Sequence, residues 1–364
     1  MDVLEAKQSL SARYLPLGFR SKVVARVQTM SVDEAVAGAR LNVHAVGIGH
    51  KFVNGQATTD DMVVRVHVVQ KIAPSLLSPR DRIPETIDGI PTDIIESAPA
   101  FALARRPKTA AGQAASASAA PTCSDSRKGK QRPLVAGISV AHRDITAGTL
   151  GYFCRSRRQG DSAQQVYILS NNHVLANVNK GYPGDDIYQP GPADGGDSQA
   201  YVADLVRFTP IDLSGAPNRV DGAIAKFAPD IQWRPEICTI GSINGTAVTA
   251  VGMSVCKHGR TTGYTEGIVT DIAYDALIGM DHSDASIVGL FQNQIRIESV
   301  SGAPAFGLGG DSGSLVVELG QKRGVGLYFA GPPSGNYGVA NQISDVLSEL
   351  EIELVDGADV AAIA

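Results

Sequence analysis

From Pro133 onward the chain is written in short β-prone runs broken by Gly, Pro, Asn and Asp, with no helical pattern standing between them. Candidate strands fall at 135–140, 149–154, 166–170, 201–208, 222–227, 251–257, 264–272, 294–300, 314–319 and 324–330. Such spacing predicts an all-β sandwich or barrel of about 220 residues, because a doubly wound parallel sheet needs helices between its strands. One helical pattern closes the chain at 341–350, where Ile343, Val346, Leu347 and Leu350 repeat at i, i+3, i+4 and i+7.

Residues 1–97 read differently, as a small α/β unit. Ser31 and Glu34 have capping-box spacing, which predicts a helix over 32–39. Val43 to Phe52 and Met62 to Val69 read as strands joined at the Asn54-Gly55 turn signal, and 91–96 supplies another. Residues 98–131 are rich in Ala, Ser and Lys/Arg, carry no apolar stripe, and read as a flexible basic linker.

Charge is spread unevenly over the 364 residues. Residues 1–97 carry 11 basic and 11 acidic side chains, 98–131 carry 6 and 1, and 132–364 carry 15 and 25, for a net −10. An acidic C-terminal part argues against nucleic-acid binding. No run of apolar residues is long enough for a membrane helix, so no membrane contact is expected. The opening MDVLEAKQSL lacks the apolar run of a secretion signal. Cys123, Cys154, Cys238 and Cys256 have irregular spacing and no CxxC pair. They read as reduced thiols of a cytoplasmic protein, leaving a single disulfide open. With no HExxH, no clustered Cys/His spacing, no GxGxxG opening a helix and no phosphate-loop motif, neither metal nor cofactor is expected.

Chemistry concentrates in Gly309-Gly310-Asp311-Ser312-Gly313, followed by an apolar strand. Glycines beside a serine permit the torsions that aim backbone N–H groups at one point, which is what a tetrahedral oxyanion requires; an ordinary tight hairpin is the competing reading. A base is available in His173, at the end of the apolar run Val166–Ser170. An orienting carboxylate is available in Asp221, at the mouth of the nearly uncharged strand Gly222–Phe227. Each also has a plain structural reading, a strand-capping histidine and a chain-turning aspartate.

The segments YILSNNHVLAN, VDGAIAKF and GGDSGSLVV stand in the His, Asp, Ser order of the trypsin/chymotrypsin-like serine peptidases, and CKHGRTTGYTEG (256–267) resembles the strand pair before the nucleophile in bacterial streptogrisins. RPLVAGIS at 132, TAGTLG at 146, GIGHKFVNG and IDGIPTDIIE are similar to a bacterial branch related to the plant NARROW LEAF family. The resemblance implies a two-barrel peptidase domain over 132–355, with barrels at about 132–235 and 236–345. It also implies a His173, Asp221, Ser312 triad and an oxyanion hole from the N–H groups of Gly310 and Ser312.

It further implies an uncharged pocket around Phe306, flanked by the strand carrying Gly326, Tyr328 and Gly331, to whose edge an extended substrate can add. Two departures follow. About 130 residues precede the barrels, so no freed N-terminal amine can pair with Asp311 and a local partner must replace it. His258 has the residue type of a pocket histidine but reads as a surface-loop residue.

The expected function is therefore a serine endopeptidase acting on protein or peptide. The alternative is a non-catalytic or partner-activated scaffold on a peptidase fold. The N-terminal unit is free for assembly or substrate recruitment, and the linker is a candidate self-cleavage site yielding a fragment that starts between 98 and 132.

Overall fold

The computed structural model describes residues 2–21, 42–53, 56–102, 123, 125–281, 284 and 286–356. Helix α1 (Val3–Ser21) opens the chain. Its start is a reciprocal box: the Glu5 N–H donates to Asp2 Oδ1 at 2.8 Å and the Asp2 N–H to Glu5 Oε2 at 3.0 Å. Ala6, Leu10 and Tyr14, spaced one turn apart, are buried. The helix expected over 32–39 and the turn at Asn54-Gly55 lie outside the described residues.

Strands β1 (Val43–Val53), β2 (Gln56–Val68), β3 (Thr86–Ile87) and β4 (Ile90–Glu96) follow. A first β unit then runs through β5 (Leu134–Ala136), β6 (Ser139–His142), β7 (Gly148–Thr149), β8 (Tyr152–Ser156), β9 (Val166–Ser170) and the one-turn helix α2 (Asn172–Leu175). It continues through β10 (Asp186–Tyr188), β11 (Tyr201–Phe208), β12 (Pro217–Asn218), β13 (Ala223–Phe227) and β14 (Trp233–Ile237). The second unit holds β15 (Ser254–Gly259), β16 (Gly263–Gly279), β17 (Val288–Ser299), β18 (Leu315–Glu318), β19 (Gly324–Ala330) and β20 (Tyr337–Gln342). Helix α3 (Ile343–Glu349) and β21 (Ile352–Leu354) complete the described chain.

The architecture is mainly β, with two large sheets. One has eight strands in the order β21-β8-β9-β13-β11-β10-β6-β7, while β5 and β14 form a separate parallel pair. In the other, β15, β16, β17, β20, β19 and β18 pair antiparallel in a closed ring. Closure removes the open edges that a six-stranded sheet would otherwise expose. Strand β16 outruns this ring. Its first residues pair with β15, and its later ones pair with β1, Ile48 opposite Ile272 and Ala45 opposite Ala276. The sheet therefore continues through β1, β2, β4 and β3, and α1 packs on that extension against Leu277, Val288 and Leu290.

The strands between 133 and 330 lie close to the expected runs, except that β17 begins six residues early; β10, β12, β14, β20 and β21, most of them only two to five residues long, have no counterpart among those runs. Helix α3 starts at Ile343 because 337–342 is strand β20. Of the stretch 98–131, the ends are bonded to the β units: Phe101 pairs with Gly331, and Arg127 O accepts from Ser139 N at 2.8 Å. Residues 103–122 lie outside the described set. The reading of all four cysteines as reduced thiols is corrected. Cys123 and Cys238 form a disulfide across 115 residues, and only Cys154 and Cys256 are free. No helix among the described residues is long and apolar enough to cross a membrane.

Candidate active site

The register of two strands sets the first half of the site. Strand β13 pairs with β9 so that Ala223 faces Ser170. Asp221, two residues before Ala223, is thereby brought beside His173, three residues after Ser170. Both side chains are fully buried. His173 Nδ1 lies 2.5 Å from Asp221 Oδ2, and the His173 backbone N–H donates to Asp221 Oδ1 at 3.2 Å. A proton on Nδ1 leaves Nε2 as the basic lone pair. Nε2 is buried and has no hydrogen-bond partner among the described residues.

Several residues that the sequence did not single out hold this pair. Asn171 Nδ2 donates to the Asp221 carbonyl at 2.7 Å, and Asn172 Nδ2 donates to Thr209 O at 2.8 Å. From the second sheet, Asn341 Oδ1 accepts the Asp221 N–H at 3.2 Å, while Asn341 Nδ2 donates to Gln294 Oε1 at 2.7 Å. The two asparagines before His173 were the legible signal; Asn341 and Gln294 sit in strands with no motif around them.

Ser312 stands on the loop between β17 and β18. Gly310 and Gly313 have φ of +98° and +96°, and a Cβ on Gly313 would come within 2.1 Å of Ser170 Oγ and 2.3 Å of Thr149 O. Backbone conformation and space both demand glycine there. Asp311 is fully buried and accepts from Thr261 N at 2.8 Å, Thr262 N at 3.1 Å, Thr262 Oγ1 at 2.8 Å and Leu308 N at 2.9 Å. Lys257 Nζ lies 3.5 Å away. These groups fill the place a freed N-terminal amine would take. Burial pulls the Lys257 ammonium below its ordinary pKa, against the opposing pull of Asp311.

Thr149 ties the two halves together. Its N–H donates to Ser312 O at 2.8 Å, its Oγ1 to Gly310 O at 2.8 Å, and its carbonyl accepts Ser170 Oγ at 2.7 Å. The Ser312 hydroxyl, however, donates to the carbonyl of Ala102 at 3.0 Å, with Phe329 O at 3.4 Å. Among the described residues it makes no hydrogen bond to His173.

A cavity of only about 10 Å³ remains beside Ser312, and Tyr328 and Gly331 border it. Phe306 and Gly326 belong to the barrel interior. The Phe306 ring is fully buried 6.1 Å from that of Tyr328, with Lys257 Nζ 5.5 Å from its centroid. A Cβ on Gly326 would sit 3.0 Å from Asn341 O and from Ile295. The reading of His258 as a surface-loop residue is corrected. Strand β15 packs against the first β unit, so its imidazole is fully buried with Nδ1 2.9 Å from Gly137 O. Burial lowers its pKa to about 4.

No protein-family model matches the chain. Over 385 aligned residues it is 25% identical to Protein NARROW LEAF 1 of Oryza sativa subsp. japonica. That match takes in 94% of this chain but 62% of the rice protein, so the chain spans about three-fifths of the length of that relative. Solved structures with a similar arrangement include Thermobifida fusca Protease A (18% identity, TM-score 0.43, 61% of this chain and 98% of that one). A chymotrypsin of Cellulomonas bogoriensis matches at 13% identity and TM-score 0.41, over 61% of this chain and 98% of that one.

Proposed function

We propose that the protein is a serine endopeptidase of the trypsin-like, two-barrel kind, hydrolysing peptide bonds of protein or peptide substrates through an acyl-enzyme. In this reading Ser312 Oγ attacks the carbonyl while His173 Nε2 takes its proton and returns it to the leaving amine. Asp221 keeps the imidazole in the required tautomer and stabilises the imidazolium. The N–H groups of Gly310 and Ser312 receive the oxyanion, and a water activated by His173 then releases the acyl group. The observation that carries the reading is the fully buried His173–Asp221 pair at 2.5 Å, whose Nε2 has no partner among the described residues. What sets this histidine apart is the buried carboxylate on Nδ1, which holds the tautomer that leaves Nε2 basic.

A fluorophosphonate probe tests it. The wild-type chain becomes covalently labelled and Ser312→Ala does not. Absence of labelling both in the native chain and in the variants of the next section would remove the reading. One observation favours the second reading, a peptidase fold awaiting a partner: the Ser312 hydroxyl is turned onto Ala102 and the neighbouring cavity is nearly filled. Within the proposal, the α1–β4 region is free to recruit substrate or to mediate assembly. The Cys123–Cys238 bond speaks for an oxidising setting and against the cytoplasmic expectation.

A further inference from the structure

We infer that Ala98–Ala102 is a resident ligand of the substrate cleft, seated where an extended peptide adds as a strand; the intact chain is therefore latent. Its external substrates are extended peptides with a small apolar residue where a carbonyl meets Ser312. This inference rests on the peptidase reading above.

The segment has the bonding of an added strand. Phe101 N donates to Gly331 O at 3.0 Å and Gly331 N to Phe101 O at 3.1 Å, the reciprocal pair of an antiparallel bridge at the end of β19. On the opposite side Ala102 N donates to Gly279 O at 2.9 Å and Gly279 N to Ala100 O at 3.0 Å. Backbone is thus satisfied on both edges. Ala100 and Ala102 are 2% exposed, and the cavity of about 10 Å³ left beside Ser312 is about what a single water needs. A long side chain at 102 would have to enter this small space, which Leu308, Tyr328 and Pro332 also line.

The base of the segment is fixed as well. Ser97 N donates to Val68 O at 2.9 Å, His44 Nε2 lies 2.9 Å from Ser97 O, and Tyr337 Oη donates to Ala98 O at 2.5 Å. Pro99 limits the backbone freedom of the strap.

Latency follows from where one proton points. The Ser312 hydroxyl has a single hydrogen, and it is spent on Ala102 O, so it is not available to His173 Nε2. Removing the strap frees the hydroxyl to turn to the base, and exposes Gly331 N and O to an incoming strand.

The test uses the full chain with Phe101→Pro, which deletes the N–H paired with Gly331, and Ala102→Lys, which forces a long cation into a sealed position. Fluorophosphonate labelling of Ser312 is expected to accelerate by about tenfold in Phe101→Pro, the population shift one lost hydrogen bond carries. In Ala102→Lys it accelerates more. Adding acetyl-Ala-Pro-Ala-Phe-Ala-amide slows the variants again. Equal labelling rates in wild type and cooperatively folded variants overturn the inference while leaving the peptidase reading intact. No labelling in any of them removes the peptidase reading instead. Hydrogen exchange of the wild type then judges the strap, as it also does if neither variant folds. Protection of the Phe101 and Ala102 amides comparable to β19 supports occupancy, and free exchange at both overturns it.

Discussion

A carboxylate stripped of water needs donors in its place, and Asp221 receives two from His173. Asparagine at this position would present an N–H to Nδ1, leaving that nitrogen as acceptor and the proton on Nε2. On the peptidase reading, Asp221→Asn is therefore expected to lower turnover on the order of 10⁴-fold with an unchanged thermal transition. Assay of a peptide substrate beside a melting curve checks both halves. Asp311 and Lys257 make a contrasting pair. Asp311 has four hydrogen-bond donors besides the lysine, so Lys257→Met leaves it satisfied. Asp311→Ala orphans those donors and strands a buried ammonium. Chemical denaturation should show Asp311→Ala costing about 3–5 kcal/mol and Lys257→Met clearly less. His173, Asp221 and Ser312 each stand in a local motif that the sequence alone displays, and the structure brings His173 and Asp221 together. The rotation of the Ser312 hydroxyl was not legible there, since it depends on Ala102, some 210 residues away in the chain.

At the level of elements, buried charge misled the reading more than hydrophobicity did. The expected strand 264–272 already contains Asp271, but β16 runs on through Asp275 to Gly279. Asp271 is fully buried against Arg65 Nη1 at 2.8 Å and His67 Nε2 at 3.0 Å, and Asp275 pairs with Lys7 of α1. Their buried partners Arg65, His67 and Lys7 come from 1–97 and Arg296 from β17, so the pattern within β16 alone could not reveal why they are tolerated. For the same reason α1 was not anticipated: its apolar face of Ala6, Leu10 and Tyr14 is interrupted by Lys7 and Ser11, which are themselves buried.

This cluster sets a pH dependence. Burial lowers the His44 pKa to about 3, with His67 adding to the effect, and lowers the His67 pKa to about 4 against the opposing pull of Asp271. Both histidines are then neutral in the fold across a range where the unfolded chain, with ordinary pKa about 6.5, takes up protons. Stability is complete above about pH 6.5 and declines as pH falls toward 4. Burial alone would raise the Asp271 pKa, but Arg65 and His67 hold it well below the carboxylate range, so its contribution is lost only under more acid conditions. Urea midpoints between pH 7.5 and 4.5 should fall in wild type and fall less steeply in His67→Gln, whose amide can still donate to Asp271.

Across the whole molecule, the chain crosses between its β units more often than a two-barrel reading of 132–345 implies. Strand β21 returns to β8, and β1 extends the sheet of β16. Cys123–Cys238 then closes a loop of 115 residues that contains His173 and Asp221 but not Ser312. No spacing rule could expose that link, because Cys238 follows β14 and Cys123 lies in an Ala/Ser-rich stretch. A cross-link over so long a loop restricts the unfolded chain strongly, and its removal in Cys238→Ser is expected to cost about 2–5 kcal/mol. Reductant should lower the urea midpoint of wild type toward that of the variant and leave the variant unmoved. The remaining thiols make the complementary measurement. Cys154 and Cys256 are buried, and burial raises both pKa values, that of Cys256 to about 11, so little thiolate exists at neutral pH. Iodoacetamide should therefore leave the native chain unmodified and add two groups once urea unfolds it without reductant. Four groups under those conditions would mean that Cys123 and Cys238 are not bonded, and the loop would have to be held by the strand pairings alone.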